Sequence, residues 1–313
     1  MTLAEGAKVA VETCMGVKKG EEVLIISDGT REKIAEALLQ ACLDVGAEPI
    51  LARMQPRTRH GEEPPDALAA MMMEADVVFA PTEYSLTHTQ ARRNATRAGA
   101  RIATLPGITE GMMDRGGMLA DFHEIARRMR RVYRKVRGGR EVTIESELGT
   151  ELVLSVRGRD WITDDTGICH RKGQYTNLPA GEIFIAPREG TASGKLVIDG
   201  AFLKAVEEPV RITVKDGYAT RIVGATDAVR ELNKGGREGR NVAELGIGLN
   251  DKARIIGNVL EDEKSLGTIH VAFGDNSTFG GRVRCGVHID AVMKNPTLIV
   301  DEVLVLEKGE MKI

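Results

Sequence analysis

The sequence predicts an α/β protein: an N-terminal doubly wound parallel-sheet domain over residues 1–137, followed by a β-rich C-terminal domain over 138–313. Short apolar runs alternate with helical spacings through the first hundred residues, and after the break at 137–139 the pattern becomes strand after strand. A chain of 313 residues is also long enough to bury two cores.

The first strand is EVLIIS (22–27), a short apolar run, and TREKIAEALLQACLDVGA (30–47) then takes up helical spacing with Gly46 as its stop. EPILARM (48–54), PPDALAAMMMEA (64–75), DVVFAP (76–81), HTQARRNATRAGA (88–100) and RIATLPG (101–107) continue strand, helix, strand, helix, strand. That alternation requires parallel strands joined by right-handed crossovers, with any ligand at their carboxyl ends. SDGTREK (27–33) follows the first strand, but it matches neither G-x-G-x-x-G nor the Walker lysine pattern, so it reads as a plain helix N-cap rather than a phosphate loop.

LADFHEIARRMRRVYRKV (119–136) reads as a long basic helix, and RGG (137–139) breaks it. With a net charge of −3 over the whole chain, this helix suits a solvated face or an interface better than nucleic acid. Strands follow at EVTIESE, TELVLSVRG, EIFIAP, GKLVIDGAF, VRITVKDGYATRIVG, TIHVAF, VRCGVHID and TLIVDEVLVLEKG, interrupted by one helical insert, ATDAVRELNKGG. KDGY (215–218) carries the Asp-Gly hairpin signature.

Composition excludes several classes. The residues are 42% hydrophobic, 28% charged and only 4% aromatic, which argues against base-stacking platforms and gives no reason to expect nucleic acid or an anionic membrane as partner. The first twenty residues lack the apolar core of a signal peptide, and no apolar run approaches the roughly 20 residues of a membrane span. A cytoplasmic location is expected. Cys14, Cys42, Cys169 and Cys285 form no C-x-x-C pair, so reduced thiols are expected rather than a zinc ribbon or disulfides. Cys285 falls on the strand face opposite His288 and reads as core packing.

The chemistry gathers in the β-rich half. In RCGVHID, His288 and Asp290 stand two positions apart on a strand and share a face. His270 lies in TIHVAFG, and if GDNSTFGGR connects the two strands as a hairpin centred near Phe279, His270 falls opposite His288 with side chains about 5 Å apart. Two histidines and an aspartate on one face form a ligand set for iron, manganese or zinc. Glu182 in NLPAGEIF and Glu244 in VAELGIGLN lie among apolar residues and glycines, where a carboxylate needs a partner; Glu263 in LEDEKSLGTIH is a further acid nearby.

Taken together, NLPAGEIFIAP, ELGIGLN, DEK..GT.H.AFG and HID resemble, in order and approximate spacing, the thermophilic-type metalloaminopeptidases of the aminopeptidase T family, over most of residues 1–308. The resemblance implies an aminopeptidase T-like fold whose β-rich half is the metal-binding domain. Glu182, Glu244, His270, His288 and Asp290 take its ligand positions and Glu263 that of general base, in a site expected in the cleft between the domains. It further implies two divalent ions (zinc, cobalt or manganese), a homodimer, and a hydrolase that releases N-terminal residues from peptides or small amides. One departure is plain: Ser277 stands where the family has a tyrosine able to stabilise an oxyanion. The same superfamily includes dioxygenases that open dihydroxypyridine rings with one Fe(II) held by two histidines and a carboxylate. On that alternative, His88 in SLTHTQARR is placed to act as acid or base on a small-molecule substrate, with His170 in DDTGICHRKG similarly poised to bind it. Two extra acids, Glu182 and Glu244, favour two cations and therefore the hydrolase.

Overall fold

In the computed structural model, which describes residues 2–313, the chain forms two compact units. One runs to Ala126 and takes back Asp164–Ala180; the other comprises Arg127–Thr163 and Gly181–Ile313. The single boundary expected at residue 137 is therefore corrected. Tyr175–Asn177 returns to the first unit as a strand parallel to Arg101–Thr104, through pairs such as Ala103 with Thr176. Three residues of mixed polarity carry too little pattern to be read as a strand beforehand.

The first unit is built on one parallel sheet in the order Glu48–Arg53, Glu22–Ser27, Val77–Ala80, Arg101–Thr104, Tyr175–Asn177. Such an order is doubly wound, with its switch point between the first and third strands of the chain. The helices Glu32–Asp44, Asp66–Glu74 and Gln90–Ala98 alternate with those strands as expected. Leu24, Ile26, Val78 and Ile102 bury their side chains against Leu68, Met72, Ala91 and Ala95 of the last two helices. The switch point is closed by the protein's own groups. Asp28 accepts from the Thr30 amide and hydroxyl and from the Glu83 amide, while Arg31 pairs with Glu83 at 2.6 Å. Arg31, and not Thr30, is the cap residue of the following helix, and it makes no side-chain cap bond. The long basic helix spans Phe122–Val136, because Gly117–Leu119 closes a separate short turn before it. Among the described residues no helix is long and apolar enough to cross a membrane.

The second unit holds two antiparallel sheets. The larger runs Tyr218–Val223, Val210–Lys215, Ser193–Ile198, Glu151–Ser155, Glu141–Glu145, Thr297–Val300, Val303–Glu307, Glu310–Met311. The KDGY turn closes its first hairpin with Asp216 and Gly217 both in the left-handed region, as a two-residue hairpin loop requires. The smaller sheet runs Lys204–Ala205, Ala201–Phe202, His288–Met293, Ile269–Gly274, Val242–Gly248, Glu182–Ile185. GKLVIDGAF, expected as one strand, serves both sheets. It breaks at Asp199–Gly200, where the Gly200 amide bonds the Val292 carbonyl at 3.0 Å and a side chain on Gly200 would meet that oxygen at 2.7 Å.

Candidate metal centre

Four adjacent strands of the smaller sheet position the cluster. Gly248 faces Glu182 and Gly246 faces Phe184. On the next strand Gly246 faces His270 and Glu244 faces Ala272, and on the last Ala272 faces Asp290 and Gly274 faces His288. Opposed residues share a face, and so do alternate residues along a strand. Glu182, Glu244, His270, His288 and Asp290 are thereby brought to one face of one sheet.

The hairpin register differs from the expected one. His270 lies opposite Val292, not His288. The Asp275 carboxylate accepts the amides of Cys285 and Gly286, which holds those residues in the connecting loop, and the strand begins only at His288. Cys285 is accordingly half-buried in that loop, rather than packed in the core as expected. The displacement is an even number of residues, so every side chain keeps its face and the convergence survives.

Room for the cluster comes from glycines. A Cβ on Gly246 would stand 2.0 Å from His270 Nε2, and one on Gly248 would stand 2.0 Å from the Ser265 carbonyl oxygen. Gly246 thus makes the hollow that the His270 imidazole fills, and Gly248 lets the Ser265 backbone close against the strand. His270 Nε2 lies 3.2 Å from Glu244 Oε1 and 3.3 Å from Glu182 Oε2. His288 Nε2 lies 3.5 Å from both Glu244 Oε2 and Asp290 Oδ1. Glu244 therefore offers one oxygen to each imidazole. His288 Nδ1 is 2.8 Å from the Asp275 carbonyl oxygen, to which it donates, and this turns Nε2 toward the cluster.

The segment between the second and third of these strands adds Glu263 and a residue that sequence reasoning missed. Lys264 is 1% exposed, with Nζ 2.7 Å from Glu182 Oε1 and also bonded to Glu263. A lysine in DEKSLG reads as surface, and its neighbour Glu263 is the one hint that it could be drawn inward. A buried ammonium requires such partners, and here it offsets one of the acids in the hollow.

Charge and burial shift the titrations strongly. Burial pushes Glu263 up to about 7 against the pull of Lys264. Burial opposes the charged form of His270, but its bond to Glu244 and the charges of Glu182 and Asp290 overcome that and raise it to about 9. His288 moves up in the same way, with Asp290 and Glu244 outweighing burial. Burial would raise Asp290, yet the charge of His288 holds it well below the carboxylate range. Three sets have ligand atoms within 4.8 Å of one another: Glu182, Glu244 and His270; Glu244, His288 and Asp290; Glu263, His270 and Asp290. Imidazole nitrogens mixed with carboxylate oxygens suit first-row divalent metals, and among the described residues the buried Asp290 Oδ1 has no hydrogen-bond partner, His288 Nε2 standing 3.5 Å away.

His88 and His170 belong to the first unit, and Ser277 to the second. His88 sits on an exposed turn just before Thr89, whose hydroxyl accepts from the Arg92 amide and caps the helix Gln90–Ala98. His170 is exposed, with Nε2 2.8 Å from the Thr13 carbonyl oxygen. The Ser277 hydroxyl is bonded to Asp275 Oδ1 at 2.7 Å.

Residues 3–313 match the NicX family, 2,5-dihydroxypyridine 5,6-dioxygenase. A curated 2,5-dihydroxypyridine 5,6-dioxygenase of Pseudomonas putida is 23% identical over 190 residues, 55% of this chain and 54% of the relative, so the match spans about half the length of that protein. The solved 2,5-dihydroxypyridine dioxygenase from Pseudomonas putida KT2440 is similar with a TM-score of 0.79 at 18% identity, covering 99% of this chain and 96% of that one. Wild-type AmpT from Thermus thermophilus is similar with a TM-score of 0.71 at 16% identity, covering 99% of both chains. These likenesses establish the aminopeptidase T-like fold.

Proposed function

Because the chain belongs to the 2,5-dihydroxypyridine 5,6-dioxygenase family, we propose that it is an iron(II)-dependent dioxygenase that opens the ring of a dihydroxypyridine-like aromatic. The observation that carries this reading is the placement of His270, His288 and Asp290 on one face of one sheet, with Glu244 reaching both imidazoles. Two histidines and one carboxylate are the ligand set of non-haem iron(II) oxygenases. Asp290 Oδ1, without a hydrogen-bond partner among the described residues, and the imidazole and carboxylate donors converging beside it fit a cation of that kind.

Iron(II) held by His270, His288 and Asp290 would bring dioxygen and the ring hydroxyls together and mediate electron transfer between them. The protein's own groups do the rest. Asp275 orients His288 through its carbonyl, and Lys264 holds Glu182 and Glu263 in place. Glu263, bonded to Lys264 and grouped with His270 and Asp290, is the carboxylate placed to accept a proton from a ring hydroxyl. The peptidase reading favoured by the sequence has weaker support, since the likeness to AmpT is one of fold and the family is that of the dioxygenases.

An oxygen electrode distinguishes the two. Protein loaded with Fe(II) under anaerobic conditions should consume one O2 per 2,5-dihydroxypyridine, both oxygen atoms entering the opened product, and the zinc, cobalt or manganese forms should release no amine from aminoacyl amides. Amine release without oxygen uptake would return the chain to the hydrolases. Loss of uptake in His88→Ala at unchanged iron content would give His88 its acid-base role.

A further inference from the structure

The cluster has a closed end and an open end. His270 is wholly buried, whereas 32% of the His288 side chain is exposed. Two phenyl rings border the open end. Phe184 lies two residues beyond Glu182 on the same strand face, opposite Gly246, and is half-buried. Phe279, also half-buried, stands edge-to-face against Phe184 with centroids 5.7 Å apart at 77°, and against His288 at 5.7 Å and 89°. The whole chain holds six phenylalanines, and two of them meet here, Phe279 against His288 and Phe184 against Phe279.

The loop that carries Phe279 is built to hold its shape. Asn276 is fully buried; its Oδ1 accepts the Val283 amide at 2.9 Å, and its Nδ2 donates to Glu189, which Arg159 pins at 2.6 Å. Gly281 leaves the space that the Asn276 side chain occupies, since a Cβ there would lie 1.8 Å from Asn276 Cγ. A preformed aromatic surface loses little freedom when a ligand lies on it, and aromatic rings favour offset or edge-to-face contact with one another.

We infer that Phe184 and Phe279 form the wall on which a planar aromatic substrate ring rests beside the metal, with Phe279 setting the preference for an aromatic over an aliphatic chelating ligand. This rests on the ring-cleaving reading and names the subsite that would serve it.

The test uses the full chain loaded with zinc, which supports no redox turnover, titrated by calorimetry with 2,5-dihydroxypyridine and with hydroxyacetone as an aliphatic ligand. Phe279→Ala should weaken binding of the pyridine roughly 3- to 10-fold, as expected for loss of one aromatic contact, while zinc content and hydroxyacetone affinity stay within about twofold by the same reasoning. Phe279→Tyr should restore the pyridine affinity, and Phe184→Leu should weaken it in the same selective way. Unchanged pyridine binding in both Phe279→Ala and Phe184→Leu, or equal weakening of the two ligands, overturns the wall. A fall in zinc affinity alone also overturns it, because Phe279 would then act only by supporting His288. The wall and the reading beneath it fail separately. Selective loss in Phe279→Ala without oxygen uptake by the iron form keeps the wall and removes the dioxygenase, whereas uptake that is indifferent to Phe279 does the reverse. A wild-type protein that binds no pyridine overturns both.

Discussion

The strands Val77–Ala80 and Val242–Gly248 are both buried at every position, yet one reads VVFA and the other VAELGIG. The first is closed by apolar packing on both faces, as a central strand of a parallel sheet must be. The second buries a carboxylate and two glycines on one face. Glu244 is tolerated there because two imidazoles meet its oxygens, and the His270 imidazole fits because Gly246 has no side chain. Burial thus has two local solutions, and the choice between apolar filling and paired polar groups separates the scaffold from the site.

The sharpest way to break the comparison is to remove a ligand. Asp290→Ala should abolish stoichiometric metal uptake, read by plasma emission, while far-UV circular dichroism retains the helical signal of the first unit; full occupancy would make the cluster a satisfied core. Lys264→Met tests whether the hollow is electrostatically balanced. Leaving Glu182 and Glu263 without their ammonium should cost about 3–5 kcal/mol in urea unfolding under chelator, and a neutral result would show that the acids do not depend on it. Gly246→Ala asks whether room matters as much as charge. Its Cβ displaces His270, so metal affinity should fall about 10–100-fold, whereas Val78→Ala, in the apolar strand, should cost about 2 kcal/mol of stability with unchanged metal affinity.

The smallest effect is a pH trend. In chelated protein the folded-state values of His270 and His288 lie above the ordinary 6.5, with His270 near 9. Their stabilisation is complete below about 6.5 and is lost as pH rises through about 9 for His270 and about 10 for His288. Glu263, raised to about 7, adds a loss of the same sign between its ordinary 4.5 and 7. Asp290 behaves oppositely, and its contribution is lost only as pH falls below its ordinary 3.8. The melting temperature of chelated protein should therefore decline by several degrees between neutral pH and pH 10, and metal should flatten the decline. A melting temperature that stays level or rises over that range would contradict the charge arrangement described for the hollow.

What the sequence determined by itself was periodic. Alternation of apolar runs marks the strands and helices of the first unit, and the period of two puts His288 with Asp290, and Glu244 with Gly246, whatever pairs with them. Pairing was decided by the tertiary structure. The register that sets His270 against Val292 depends on Asp275 holding the Cys285 and Gly286 amides, the burial of Lys264 depends on Glu182 arriving from a strand 82 positions away, and Tyr175–Asn177 is a strand only because Arg101–Thr104 offers it an edge. Side-chain direction along a strand follows from local backbone geometry, so it can be read residue by residue. Register, and the burial of a charge, follow from contacts distant in sequence, whose closure no local pattern encodes.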